Sequence, residues 1–330
     1  MEVTLWVWAV TVAGVLGLLV FDFYAHVRTP HAPSIREAAT WSAFYIGLAI
    51  VFGIGLLAVW GPSHGGEYFA GYVTEKSLSV DNLFVFLIIM SRFAVPREFQ
   101  QKVLLVGVAI ALFLRGLFIW AGAAAIANFS WVFYVFGAFL VYTAIVLARE
   151  DHDSERPKEF KENRLIRLVR RVMRSTTEYH GDRLTVVRAG RRLATPMLLV
   201  MVAIGSTDVL FALDSIPAIF GLTREPYIVF TTNAFALLGL RQLYFLLGGL
   251  LQRLIYLSEG LAVILGFIGV KMVLEALHTN ELPFINGGEH VGWAPEIPIW
   301  ASLTFILGTL TIATVTSLAS TRRKARAARP

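Results

Sequence analysis

Residues 103–123, VLLVGVAIALFLRGLFIWAGA, contain one charged side chain, Arg115, in a run that is otherwise apolar. A helix needs about 20 apolar residues to cross a hydrocarbon layer roughly 30 Å thick, so this run can span a membrane. Similar runs occur at residues 3–21, 40–60, 68–90, 129–148, 195–220, 227–251, 255–277 and 297–318. Because they are continuous rather than alternating, they favour helices over barrel strands. The sequence predicts an all-α integral membrane protein with about nine transmembrane helices.

The composition agrees with a membrane protein and excludes other classes. Of the 330 residues, 56% are hydrophobic and 16% are charged. The mean hydropathy of +0.66 is higher than soluble domains need. A net charge of +6 would suit nucleic acid, but the basic residues lie where membrane topology requires them, so we expect no nucleic-acid partner. The absence of cysteine excludes disulfides and thiolate metal ligands.

Arginine and lysine residues divide the connections between the runs into two sets. If the charged segment 149–194 faces the cytoplasm, the N-terminus lies outside and the C-terminus inside. The outside connections then contain only Arg224 as a basic residue. The inside connections contain Arg28, Arg36, Arg92, Arg97, Lys102, Arg253 and five basic residues after position 321. This bias predicts an N-out, C-in topology.

These features divide the chain into four parts. Residues 1–148 hold five helices, 149–194 form a basic loop, 195–318 hold four more helices, and 319–330 form a basic cytoplasmic tail. Within the loop, arginines alternate with apolar residues at helical spacing between positions 164 and 174. This pattern predicts a basic amphipathic helix lying on anionic lipids, and a partner-binding surface is the alternative.

An internal repeat relates the two groups of helices. EKSLSVD at 75–81 and DVLFALD at 208–214 share an acid, five residues and an aspartate. Two further matches follow in order, ALFLR at 111–115 with LLGLR at 237–241, and FGAFLV at 136–141 with LGFIGV at 265–270. Helices 3–5 are therefore predicted to be repeated as helices 6–8. Since each unit has an odd number of helices, the second unit is inverted, and the substrate site is expected where the units meet near the midplane.

Four acids, Glu75, Asp81, Asp208 and Asp214, lie inside these apolar runs. An ionised aspartate at a helix centre costs about 2.5–3.5 kcal/mol on insertion scales, so something must stabilise them. In one interpretation, basic residues inside the runs form structural ion pairs with the acids; these are Lys76, Arg115, Arg241 and Lys271. In the other, the acids bind a metal cation and protons in turn.

The neighbouring side chains bear on the choice of metal. The neutral oxygen ligands expected near the acids are those of Ser79, Asn82, Thr207, Ser215 and Asn233. Oxygen ligands suit manganese, magnesium or calcium, whereas zinc and copper prefer imidazole or sulfur. The residues therefore indicate a hard divalent cation.

Helix geometry limits how the acids can share one ion. Glu75 and Asp81 are separated by about 9 Å of helical rise and cannot both bind one ion from an unbroken helix. Pro217 predicts a break in the sixth helix beside Asp214. We therefore expect Asp81 and Asp214 to pair across the repeat axis, with Glu75 and Asp208 as a neighbouring relay or second layer. Asp22 and His26, four residues apart, are predicted to be ordinary interface polarity or a cytoplasmic ligand pair.

Five ordered blocks resemble the TerC family of membrane proteins. They are SIREAATW at 34–41, EKSLSVDNLF at 75–84, STDVLFALDSIP at 206–217, NAFALLGLR at 233–241 and FIGVKM at 267–272. The resemblance covers about residues 20–318 and implies that Glu75, Asp81, Asp208 and Asp214 form the metal site. The family takes its name from tellurium resistance and includes Alx-like manganese exporters. The resemblance selects manganese over magnesium or calcium and implies a multi-pass protein of the bacterial cytoplasmic (inner) membrane.

The sequence predicts a transporter that exports a divalent cation, Mn²⁺ first, with proton exchange as the expected coupling. We expect no permanently bound cofactor, and homo-oligomerisation is compatible with the sequence. The alternative is a non-transporting scaffold that assists assembly or metalation of membrane or exported proteins, with indirect tellurite resistance. A scaffold would require only the loop, so replacing residues 155–190 with a neutral linker would separate the two. Enzymatic activity is not expected, because the Walker, HExxH and GxSxG motifs are absent.

Overall fold

A computed structural model of the chain describes residues 1–28, 31–129, 131–149, 176, 178–188, 191–247, 254–278, 280, 282, 285–289 and 291–327. Within these ranges, a few side chains lie outside the description: those of Val27, Asp81, Phe84, Arg188, Arg191, Leu247 and residues 322–327. The predicted amphipathic helix at 164–174 also lies outside the described residues, as does Arg253.

Helices make up most of the described structure. They are α1 (Leu5–Asp22), α2 (Ile35–Arg92), α3 (Arg97–Asn128), α4 (Val132–Arg149), α5 (Pro196–Phe220), α6 (Pro226–Leu238), α7 (Leu240–Leu247), α8 (Leu257–His278) and α9 (Ile299–Ala327). A π-helical turn, Phe23–Val27, extends α1, and a short 3-10 turn, Asn286–Gly288, precedes α9. In the described ranges, seven helices are long and apolar enough to cross a membrane. These helices confirm the prediction of an all-α integral membrane protein.

Two breaks explain how the helices relate to the nine predicted runs. Gly61 interrupts the 58-residue α2 with φ 90° and ψ 175°, and Pro62 follows it. Only glycine adopts that conformation readily, and proline begins a helix without losing a hydrogen bond. The break divides α2 into residues 35–60 (α2a) and 62–92 (α2b), close to the predicted runs 40–60 and 68–90. A second break at Gly239 divides the predicted run 227–251 into α6 and α7, of 13 and 8 residues. The number of membrane crossings and their direction stay predictions.

The predicted break at Pro217 is wrong. Helix α5 continues to Phe220, and the Pro217 carbonyl accepts a hydrogen bond from the backbone N–H of Gly221 at 2.9 Å. Proline removes one hydrogen bond to the preceding turn. Here it lies in the last turn, where its neighbours Ile216 and Ala218 are buried and packing holds the backbone.

A two-stranded hairpin lies in the segment predicted as a basic loop. Strand β1 (Thr185–Arg188) pairs antiparallel with β2 (Arg191–Ala194). The sequence interpretation missed it, because tests for long apolar runs and helical spacing do not detect strands of four residues.

Helix packing brings the two predicted repeat units together. Helix α2 packs on α6, α3 packs on α5, and α4 packs along α8. Helices α4 and α8 approach closely at Gly137 and Gly269, where a Cβ on either residue would lie 2.8 Å from the carbonyl oxygen of the other. Small residues allow such contacts between membrane helices. These pairings are reciprocal, as the inverted repeat requires; the repeat itself stays a prediction.

Candidate functional site

Arg115 on α3 lies at the centre of a buried polar cluster. Its guanidinium donates two hydrogen bonds to Asp208 on α5, Nε to Oδ2 and Nη2 to Oδ1, both at 3.2 Å. Nη1 donates to Glu75 on α2b, and also to Asn233 Oδ1 at 2.9 Å and Ser215 Oγ at 3.2 Å. Four helices are therefore joined through one side chain that is 0% exposed.

The charges of this cluster bear on whether the acids form structural ion pairs or a metal site. Glu75 and Asp208, two of the four predicted metal ligands, are ion-paired with Arg115. Two carboxylates face one guanidinium, and Glu75 Oε2 and Ser79 Oγ make no hydrogen bond among the described residues. Structural ion pairing therefore describes Glu75 and Asp208 in this structure, and their role as metal ligands stays a prediction.

Asp214 lies apart from that cluster, beside a cavity of about 270 Å³ between α2b, α4, α5 and α8. Thr143 Oγ1 donates a hydrogen bond to Asp214 Oδ1 at 3.3 Å. The polar side chains of the lining are Asn82, Thr143, Asp214 and Ser215, all of which carry oxygen, and the rest of the lining is apolar. Ser215 also accepts from Arg115, so one hydroxyl links the cavity to the ion-paired cluster.

The cavity extends toward one end of the helix bundle. Its lining includes Leu147, close to the end of α4, and Leu261, close to the start of α8. The cavity therefore extends from Asp214 toward the end of the bundle that is predicted to face the cytoplasm. Beyond Asp214, Ile216 and Phe220 belong to a buried apolar cluster that also includes Met272.

The Asp81 side chain lies outside the described part of the structure, so its predicted pairing with Asp214 is not tested. Its neighbour Asn82 lines the Asp214 cavity, as do Leu78 and Val85 on the same helix. On a regular helix, position 81 lies about 40° around the axis from position 85. Position 81 is therefore on the side of α2b that faces the cavity.

The neutral residues predicted to support the metal site do not form one group. Asn82 and Ser215 line the cavity, whereas Asn233 accepts from Arg115 and donates to the Val229 carbonyl at 2.9 Å. Thr207 Oγ1 donates to the Ala203 carbonyl of its own helix at 2.7 Å. Within the described ranges, no three His, Asp or Glu side chains are grouped so that they could hold a metal ion.

Among the described side chains, Lys76 and Lys271 form no ion pair with Glu75, Asp208 or Asp214. Pairing of either lysine with Asp81 is not tested. Lys76 Nζ donates to the Ala236 carbonyl at 3.0 Å, near the end of α6 where Gly239 interrupts the helix. A cation at a helix C-terminus is favoured by the dipole and by the carbonyls that lack helical partners. Lys271 is buried on α8, within electrostatic reach of Glu275 and Glu67.

Arg241 pairs with Asp22, which the sequence predicted to be interface polarity or part of a ligand pair with His26. Asp22 Oδ1 accepts from Arg241 at 2.7 Å, from Tyr45 at 2.9 Å and from Gln242 at 3.3 Å. Arg241 also donates to Gln101 at 2.8 Å. Asp22 is only 3% exposed, so it belongs to the interior and ties α1 to α2a and α7. Nothing in the local sequence of Asp22 distinguishes this role.

Comparison with known proteins finds relatives of this chain among bacterial membrane proteins. A model of the integral membrane protein TerC family matches residues 60–325. An uncharacterized membrane protein of Mycobacterium tuberculosis (strain H37Rv) is 53% identical over 97% of this chain and 81% of its own length. One of Myxococcus xanthus is 41% identical over 96% of this chain and 92% of its own length. A protein of Escherichia coli K12, named as a candidate membrane-bound redox modulator, Alx, is 40% identical over 75% of this chain and 78% of its own length. No solved structure matches.

Proposed function

Because the chain belongs to the TerC family of integral membrane proteins, we propose that it exports a divalent metal cation, Mn²⁺ before Mg²⁺ or Ca²⁺, through the Asp214 cavity. The observation that carries the proposal is an aspartate on a membrane-spanning helix, beside a cavity of about 270 Å³ whose polar side chains all offer oxygen. A carboxylate within a membrane-spanning helix is costly unless it has a partner or a function.

The ligand set of the proposed site suits a hard cation. In this proposal Asp214 supplies one negative charge, and Asp81, whose backbone position lies on the cavity side of α2b, is expected to supply the second. Asn82 and Thr143 add neutral oxygens. Carboxylate, amide and hydroxyl oxygens bind Mn²⁺, Mg²⁺ and Ca²⁺ in preference to softer metals. The preference for Mn²⁺ within this group rests on the resemblance to the manganese exporters of the family.

The buried cluster around Arg115 has a supporting role in this proposal. Its hydrogen bonds fix α2b, α3, α5 and α6 relative to one another. Because Arg115 also donates to Ser215, the neighbouring Asp214 is held in place with the cluster. The cavity reaches toward the predicted cytoplasmic end, where an exporter must load its substrate. Metal must displace protons from carboxylates to bind, so proton exchange is the proposed coupling. We place the protein in the bacterial cytoplasmic membrane.

Transport into sealed vesicles tests the proposal. Purified protein is reconstituted, and Mn²⁺ flux and proton flux are recorded together with metal-sensitive and pH-sensitive dyes. Asp214→Asn and Asp81→Asn are expected to abolish Mn²⁺ flux while protein level and solubility stay normal. The matched control is Glu275→Gln, which removes an acid that pairs with Arg224 outside the cavity and should leave flux unchanged. Mn²⁺ flux through Asp214→Asn at the wild-type rate would rule out the site.

The name of the Alx relative raises redox modulation as another possibility. This chain contains no cysteine, so a thiol–disulfide mechanism is excluded. The described part of the structure offers no other feature that favours a redox role over transport.

A further inference from the structure

The β1–β2 hairpin is joined to the start of a membrane-spanning helix. Thr195 Oγ1 donates to the carbonyls of Arg183 at 2.6 Å and Leu184 at 3.0 Å, and the Thr195 N–H donates to Leu184 as well. Pro196, the next residue, begins α5. The base of the hairpin is therefore fixed one residue from a helix that spans the bilayer, whichever way the chain is oriented.

A second set of contacts fixes the segment that leads into the hairpin. Tyr179 donates its hydroxyl hydrogen to the Phe93 carbonyl, at 2.7 Å, in the turn between α2 and α3. Lys102 Nζ donates to Asp182 Oδ2 at 2.5 Å, and this bond lowers the pKa of the Asp182 carboxyl below its ordinary value. The hairpin therefore has a defined position relative to the bundle.

One face of the hairpin combines an apolar and a basic side chain. Val187 is 71% exposed and lies directly opposite Arg192, which is also exposed. Side chains that face each other across an antiparallel pair share one face of the sheet. An exposed valine beside an exposed arginine is typical of surfaces at a membrane interface, where the apolar atoms leave water and the charge meets headgroups.

The length of the hairpin and its basic charge indicate what this face contacts. A strand of four residues reaches about 13 Å, so the whole hairpin stays near the membrane surface that α5 enters. Residues 183–192 contain four arginines and no acid. Anionic lipid headgroups complement that charge, and acyl chains near the headgroups accept the valine.

We propose that the face carrying Val187 and Arg192 lies on the anionic lipid of the adjacent leaflet and binds phosphodiester headgroups there. The proposal depends on the hairpin's attachment to α5, and it holds whether or not the protein transports metal. Free phosphate in solution is a weaker match, because it would make no use of Val187.

Site-specific labelling tests this surface, since the chain has no cysteine of its own. Full-length Val187→Cys carries an environment-sensitive fluorophore, and Val186→Cys is the matched control because adjacent strand residues point to opposite faces. Each variant is reconstituted in phosphatidylcholine vesicles with and without phosphatidylglycerol, using brominated acyl chains as the quencher. Quenching is expected to be stronger at position 187 than at 186 and to rise with phosphatidylglycerol.

A charge reversal supplies the second arm. Arg192→Glu is expected to shift the ratio of docked to undocked hairpin by roughly fivefold or more, because one basic residue near an anionic leaflet is worth about that factor. Inorganic phosphate added to phosphatidylcholine vesicles should change nothing. Equal quenching at 186 and 187, indifference to phosphatidylglycerol, or a response to inorganic phosphate like that to the lipid would each overturn the proposal.

Discussion

Removing the charge of Arg115 should destabilise the protein more than removing any exposed charge. In Arg115→Gln, Glu75 and Asp208 would lose their shared guanidinium partner, and Asn233 and Ser215 would lose a donor. Both carboxylates are buried, with Glu75 0% and Asp208 2% exposed. Breaking a buried ion pair by removing one partner costs about 3–5 kcal/mol, because a charge stays buried without compensation. The ratio of folded to unfolded protein should fall by roughly a hundredfold to a thousandfold or more.

The measurement is unfolding in mixed micelles by titration with a denaturing detergent. The matched control is Arg224→Gln, which breaks a 2.9 Å ion pair with Glu275 whose side chains are 46% and 41% exposed. Arg224 also lies 4.6 Å from the ring centroid of Phe133. Exposed ion pairs and exposed cation–π contacts each contribute about 1 kcal/mol or less, so this variant should lose under about 2 kcal/mol.

A compensating variant separates charge from packing. Arg115→Gln combined with Glu75→Gln and Asp208→Asn removes all three charges from the cluster. Neutral replacements of a buried ion pair are often tolerated, so the triple variant should recover much of the lost stability. The reasoning fails if Arg115→Gln loses no more stability than Arg224→Gln, or if the triple variant is less stable than Arg115→Gln alone.

Three further predictions follow from the geometry. Gly137→Ala should lower the free energy of unfolding by about 1–3 kcal/mol, since its Cβ would lie 2.8 Å from the carbonyl oxygen of Gly269. The control is Gly266→Ala, whose Cβ would lie 3.5 Å from that of Ala144. Equal stability of the two variants would contradict the tight contact of α4 and α8. Gly61→Ala should lose about 1–3 kcal/mol in the same assay, because its φ of 90° is strained for alanine, and wild-type stability would mean that the break forms differently. The lowered pKa of Asp182 means that its bond to Lys102 is formed fully above the ordinary aspartate pKa of about 3.9 and is lost as the pH falls through the lowered value. A spin label at Val187→Cys in micelles should therefore become mobile in acid, while Lys102→Gln should make it mobile at all pH values; a label whose mobility does not change with pH in the wild-type background would contradict this.

Several features of the fold could be predicted because they depend on local sequence. Long apolar runs predicted the membrane-spanning helices, since bilayer thickness sets a minimum length whatever the neighbours are. The gap between the predicted runs 40–60 and 68–90 coincides with the break at Gly61 and Pro62, and both residues act through their own backbone. Pro217 was a wrong prediction from the same kind of signal: a proline in the last turn of a packed helix does not interrupt it.

The metal site stays a prediction, but part of the ion-pair interpretation is confirmed. Glu75 and Asp208 have a basic partner inside the bundle, as the cost of a charge within a span led us to expect. The pairing could not be predicted, because four basic residues were available within the spans. Lys76 donates a hydrogen bond to a carbonyl near the end of α6, and Arg241 donates one to Asp22, which is more than 200 residues away in sequence. Such choices depend on which helices lie side by side.

The sequence by itself determined that this is a helical membrane protein with acids in its spans, because hydrophobic length and charge burial act on each segment separately. Tertiary structure alone decided that Glu75 and Asp208 share Arg115 while Asp214 lies beside a separate cavity. A guanidinium forms short hydrogen bonds only with carboxylates that packing brings within about 3 Å of it. That distance is set by the crossing of α2b, α3 and α5, and no single helix encodes it.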